Sequence, residues 1–150
     1  MTIAALGIRV SELADITVGA LRRGEAEIAN KGKTRRIVIP KQLRAKLSAF
    51  CSRQGIKDGP LFLTRRGRPL TRGQIWAELK MMARRAGVAL GKVFPHNLRH
   101  LFAVLHYKAN KDIFLLSRIL GHSSVKTTQI YLITSSKVFG RGMETLGLIQ

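Results

Sequence analysis

With 150 residues, 45% of them hydrophobic, the chain can bury one core and reads as a single domain. Its 27 Lys and Arg against 8 Asp and Glu give a net charge of +19, a balance that favours a polyanion, nucleic acid first. The same composition argues against a metal-dependent nuclease, a disulfide scaffold and a membrane span: the carboxylates form no D-x-D or H-E-x-x-H group, Cys51 is the sole cysteine, and no apolar run approaches transmembrane length.

In chain order, Met1 to Leu6 is apolar but short and lacks a basic leader, so it reads as the last turn of a helix rather than a signal peptide. Gly7-Ile8-Arg9-Val10-Ser11-Glu12-Leu13 opens a short helix with Ser11 as its cap. Arg9, among Ile8, Val10 and Leu13, is either a snorkelled surface residue or an arginine that needs a partner. Ala26–Asn30 and Arg36–Ile39 are β-like, Lys31-Gly32-Lys33-Thr34-Arg35 reads as the hairpin tip between them, and Pro40 ends the second strand. Lys41 to Arg53 is helical, with Leu43, Leu47 and Phe50 inward and Cys51 as a small core residue whose unpaired thiol fits a reducing cytoplasm.

Gly59-Pro60 breaks the chain before Leu61-Phe62-Leu63, and Arg65-Arg66-Gly67-Arg68-Pro69 is a basic turn. Thr71-Arg72-Gly73-Gln74 has capping-box spacing; the helix behind it aligns Ile75, Leu79, Met82 and Ala86, with Trp76 packed rather than stacked on a base. A helix then starts after Pro95. Taking His96 as 0° and about 100° per residue, Arg99 falls at about 300°, His100 at about 40° and Ala103 at about 340°. Leu98, Leu101, Phe102 and Leu105 gather between about 140° and 240°, which predicts a core face opposite a His–Arg face. Asp112 caps a further helix carrying Ile113, Leu116 and Ile119, Gly121 ends it, and His122 falls on the turn. Ser123-Ser124 starts a short helix carrying Tyr131. The stretch 135–150, with Val138, Phe139, Met143, Leu146 and Ile149, is too apolar for a free tail and is expected to dock on its own domain or on a neighbour.

A histidine, an arginine and a phenol on so basic a chain point to chemistry on a phosphate. A phenol with a pKa near 10 needs a base or a strong cationic field to attack a phosphodiester. The transition state puts charge on non-bridging oxygens, where preorganised Arg and His donors act, and a hairpin lysine can protonate the leaving 5′-oxygen. The product is a covalent protein–DNA ester that conserves bond energy without metal, cofactor or ATP. Arg9, a hairpin lysine, His96, Arg99, His122 and Tyr131 make up such a set.

Gly7-Ile8-Arg9-Val10-Ser11-Glu12-Leu13, the Lys31-Gly32 hairpin, His96-Asn97-Leu98-Arg99-His100, Leu120-Gly121-His122-Ser123 and Thr127-Thr128-Gln129-Ile130-Tyr131 together resemble the ordered motifs of the tyrosine recombinase, or phage-type integrase, family. The resemblance implies a mainly α catalytic domain with a small antiparallel β-sheet near its N-terminus, of the DNA breaking-rejoining type. It implies that Arg9 and Arg99 clamp the scissile phosphate, His96 assists proton transfer, His122 hydrogen-bonds a phosphate oxygen and Tyr131 forms a 3′-phosphotyrosine. Lys31 is the general acid by its Lys-Gly step, with Lys33 the alternative from the spacing to Pro40. His100 matches a structural position, and His106 and Tyr107 read as packing or surface residues.

The expected activity is site-specific cleavage and rejoining of double-stranded DNA for a mobile element, by four protomers on two duplexes, with an excision or architectural protein as a possible accessory. Residues 1–150 form the catalytic domain in this reading, without the family's N-terminal clamping domain and first full helix. Two other readings stand beside it: relaxation of supercoils in the manner of a type IB topoisomerase, and a non-catalytic basic remnant that binds DNA.

Overall fold

A computed structural model describes residues 2–30, 32–129 and 132. Lys31, Tyr131 and the 135–150 tail, three of the sequence expectations, lie outside the described residues. Thr2–Leu6 forms helix α1, followed by a 3₁₀ helix at Val10–Asp15 and α2 at Val18–Arg23. Strands β1, Glu25–Asn30, and β2, Lys33–Val38, make one antiparallel pair. Helices α3 (Lys41–Gln54), α4 (Arg72–Arg85), α5 (Pro95–Asn110) and α6 (Ile113–Leu120) follow, with a 3₁₀ turn at Leu90–Lys92. The fold is mainly helical with one small sheet, as the sequence predicts.

Local chemistry sets the boundaries. Thr17 caps α2 by accepting from the Ala20 amide at 3.0 Å, Thr71 and Gln74 form the capping box of α4, and Asp112 accepts from the Leu115 amide at 2.9 Å. Pro95 occupies the first turn of α5, where its missing N–H costs nothing. The predicted Ser11 cap is displaced: Arg9 is the cap, because the Glu12 carboxylate reaches back to its backbone N–H at 2.6 Å. The hairpin is tighter than predicted: Asn30 pairs with Lys33, so 33–35 belong to β2 rather than to the tip.

The main core joins Ile3, Leu6 and Ile8 to Leu13 and Ile16, to Ile28 and Ile37 of the sheet, and to Leu43 and Leu47 of α3. A smaller cluster of Ala103, Leu116 and Leu120 binds α5 to α6. Two helix faces differ from the expected phase. On α4, Ala83 is buried while Met82 is 52% exposed and Ala86 lies at the surface. On α5, Leu98 and Phe102 pack against the core clusters as expected, but Leu105 is 54% exposed, and Arg99 and Ala103 of the other face are buried as well. Burial of the Arg99 side has a polar reason: its guanidinium donates to the Gly7 and Leu120 carbonyls. Trp76 packs at the surface, its ring stacked on Phe94 with Lys80 above it.

Candidate active site

Glu12 is the centre on which the arginines converge. Its carboxylate, 3% exposed, accepts from Arg9 Nη1 at 2.9 Å and from Arg35 Nη1 and Nη2 at 3.0 and 2.7 Å. Arg99 Nη1 stands 3.9 Å from the same group. Burial alone would raise the carboxyl pKa, but the hydrogen bonds from the Arg35 side chain and from the Arg9 backbone and side chain outweigh it and lower it to about 2. Three arginines from three elements are thus held by one anion. Neither Glu12 nor Arg35 was expected as part of the site.

Arg35 reaches it because β2 alternates. It shares a face with Ile37 and stands opposite Ile28, so it points inward, while Arg36 points out toward Glu25 and Glu27. Its Nε also donates to the Ile119 carbonyl at 3.0 Å, tying the sheet to the end of α6. A Cβ at Gly121 would stand 2.8 Å from Arg35 Nη1, so glycine at the end of α6 keeps the room this arginine occupies.

Arg99, 3% exposed, projects from α5 between the two ends of the molecule. Nη1 donates to the Gly7 carbonyl at 2.7 Å and Nη2 to the Leu120 carbonyl at 2.6 Å. Nη2 also lies 3.3 Å from His122 Nε2, and His122 Nδ1 lies 2.8 Å from Thr128 Oγ1. Burial, then Arg99, Arg9, Arg35 and His96, lower the His122 pKa to about 4. The imidazole is neutral at physiological pH. His96, exposed in the first turn of α5, has its ring 5.9 Å from that of His100; partial burial, His100 and Arg99 push its pKa below the usual range.

The structure therefore brings Arg9, Arg99 and His122 together, with His96 at their edge. Arg9 Nη2 lies 3.5 Å from the Gly121 carbonyl, beside His122. Arg9 and His122 line a cavity of about 910 Å³ together with Arg35, Arg36 and Arg118. A concave wall of guanidinium groups suits an anion with several oxygens, since each fork can donate two hydrogen bonds. Helical residues 125–129 follow the His122 turn toward Tyr131. Lys31 and Tyr131 lie outside the described residues, as does the side chain of Lys33. Among the described residues, no three His, Cys, Asp or Glu side chains are grouped to hold a metal ion, and no helix is long and apolar enough to cross a membrane.

Comparison with known proteins gives a consistent result. A family model described as the phage integrase family matches residues 1–137. The chain is 36% identical over 146 residues to tyrosine recombinase XerD of Xanthomonas campestris pv. campestris, covering 87% of this chain and 45% of that protein. It is 38% identical over 131 residues to tyrosine recombinase XerH of Campylobacter jejuni, covering 83% of this chain and 37% of that protein. Among solved structures, XerA recombinase superposes with a TM-score of 0.75 at 28% identity over 87% of this chain and 48% of the other. XerH bound to its difH substrate, a pre-cleavage complex, superposes with a TM-score of 0.74 at 27% identity over 87% of this chain and 40% of the other. The chain spans about half the length of the curated relatives it matches, or less.

Proposed function

Since this chain belongs to the phage integrase family of tyrosine recombinases, we propose that it cleaves and rejoins double-stranded DNA at a specific site through a 3′-phosphotyrosine. The observation that supports this reading is the grouping of Arg9, Arg99 and His122, of which Arg9 and His122 line a cavity together with further arginines. In this reading Arg9 and Arg99 hold the non-bridging oxygens of the scissile phosphate, and their fixed partners, with the burial of Arg99, make them preorganised donors. His122 hydrogen-bonds a phosphate oxygen, His96 assists proton transfer, Tyr131 is the nucleophile, and Lys31 protonates the leaving 5′-oxygen. Four protomers assemble on two duplexes in the cytoplasm, the 135–150 tail docking on the same or a neighbouring protomer. The names of the relatives, recombinases in each case, favour site-specific exchange over general relaxation of supercoils.

The test is covalent trapping. The full chain is mixed with a pool of nicked duplexes of randomised sequence, in which the cleaved flank diffuses away and rejoining fails. A DNA-linked band in detergent that disappears in Tyr131→Phe supports the reading, and sequencing the trapped DNA begins to define the site. If no adduct forms while DNA still binds, even with a family-type helical domain fused ahead of Met1, the chain is a non-catalytic binder and the reading fails.

A further inference from the structure

We propose that Thr128 is a positioning residue for His122: its hydroxyl oxygen accepts the Nδ1 proton, so that Nε2 alone changes role, from accepting an Arg99 N–H to donating to a phosphate oxygen. The proposal rests on the DNA-cleavage reading and gives one of its residues a defined state. A guanidinium carries donors and no acceptor. Arg99 Nη2, which can only donate, lies 3.3 Å from His122 Nε2, a contact that favours the tautomer with its proton on Nδ1 without fixing it alone. Nδ1 is 2.8 Å from Thr128 Oγ1, and a hydroxyl oxygen accepts this proton while its own hydrogen turns elsewhere. Thr128 is 0% exposed, so water cannot take its place. Fixing one ring nitrogen to define the chemistry of the other is a general device for histidine.

The charged groups around His122 come from every side. They are Arg99 and His96 of α5, Arg9 at the first 3₁₀ helix and Arg35 of β2, with Glu12 paired to these arginines and Arg118 of α6 on the same cavity. Burial first, and then their net positive charge, keep the ring neutral. A phosphate anion among them reverses the balance. The ring then takes one proton from water at Nε2 and keeps Nδ1–H on Thr128, and Nε2–H turns to a phosphate oxygen. Valine would fill the same space as Thr128 without accepting that proton, which separates positioning from mere packing.

Two measurements on the full chain test this. Long-range proton–nitrogen correlation spectra of ¹⁵N-histidine protein, with His122 identified by its loss in His122→Gln, report the tautomer without any DNA. The expected result is Nδ1–H in the wild type and in Thr128→Ser, and a mixture of tautomers in Thr128→Val. In the second, adduct formation is followed on a nicked duplex that the wild type traps. Thr128→Val is expected to lose about tenfold in rate at saturating DNA, with its activity displaced to lower pH and its half-saturating DNA concentration unchanged. Thr128→Ser restores both rate and pH profile. An Nε2–H tautomer in the wild type overturns the proposal, and so does a Thr128→Val protein whose ring signals match the wild type, whatever its rate. Absence of any wild-type adduct strikes the cleavage reading instead, and the spectra still decide the role of Thr128.

Discussion

Arg35 Nη2 lies 2.7 Å from Glu12 Oε2, and this contact fastens the hairpin to the segment that carries Arg9. Both side chains are largely removed from water, at 14% and 3% exposure, so the ion pair cannot be traded for hydration. Removing one partner of a buried pair leaves the other charged and unmatched. Glu12→Gln should therefore cost about 3 kcal/mol in urea unfolding at neutral pH, by a shift of the midpoint with little change of slope. A loss below about 1 kcal/mol would show that the arginines are held by other groups.

The same carboxylate makes stability depend on acidity. Its folded pKa is lowered from 4.5 to about 2, so its contribution is complete above 4.5 and is lost as pH falls through about 2. Wild-type stability should fall across that window, and the fall should be shallower in Glu12→Gln. Parallel curves for the two proteins would contradict the assignment.

His122 acts in a higher window. Its folded pKa is depressed from 6.5 to about 4, so between these values the unfolded chain binds more protons and stability rises with pH. Denaturant unfolding at a series of pH values should show a gentler rise for His122→Gln than for the wild type between pH 4 and 6.5. Identical slopes would mean that the imidazole is not held neutral by its surroundings.

Gly7 has a φ of +63°, and a Cβ there would run into the Phe102 ring. Its carbonyl is also an acceptor for Arg99. Gly7→Ala should destabilise by about 2 kcal/mol or more, from strain and overpacking together. Gly73 in the first turn of α4 meets nothing, and Gly73→Ala should stabilise by about 0.5 kcal/mol. Thermal unfolding of the two variants side by side checks the contrast; a Gly7→Ala protein as stable as the wild type would refute it.

Arg118 lines the cavity from α6 and is exposed. In the DNA-binding reading it neutralises one phosphate. Arg118→Ala should then weaken duplex binding alike for all sequences and reduce the slope of log affinity against log salt by about 1. An unchanged slope, measured by fluorescence anisotropy, would place the DNA backbone elsewhere.

Much of the fold was legible because its punctuation is chemical. Thr71 with Gln74, Asp112 and Gly121 mark helix ends by side chain or backbone freedom alone, and each stands where the spacing puts it. The phase of α5 was legible only in part, in Leu98 and Phe102. Apolar periodicity points to Leu98, Leu101, Phe102 and Leu105, but two carbonyl acceptors distant in sequence turn Arg99 inward, and no hydropathy pattern carries that information. Arg9, His96, Arg99 and His122 were candidates by residue type and spacing. Glu12 and Arg35 escaped, though the alternation of Arg35 with Ile37 and Ile39 along a strand was the available signal. Thr128 gives no signal until its neighbour in space is known.

The two acceptors of Arg99 lie 92 and 21 residues from it, on opposite sides along the chain. A polypeptide leaving the ribosome can offer the Gly7 carbonyl early, but it cannot seat this guanidinium until Leu120 has emerged as well. Nascent and half-made copies thus lack one of the two acceptors of Arg99. The seat of Arg99 is a late product of synthesis, closed across the length of chain between Gly7 and Leu120.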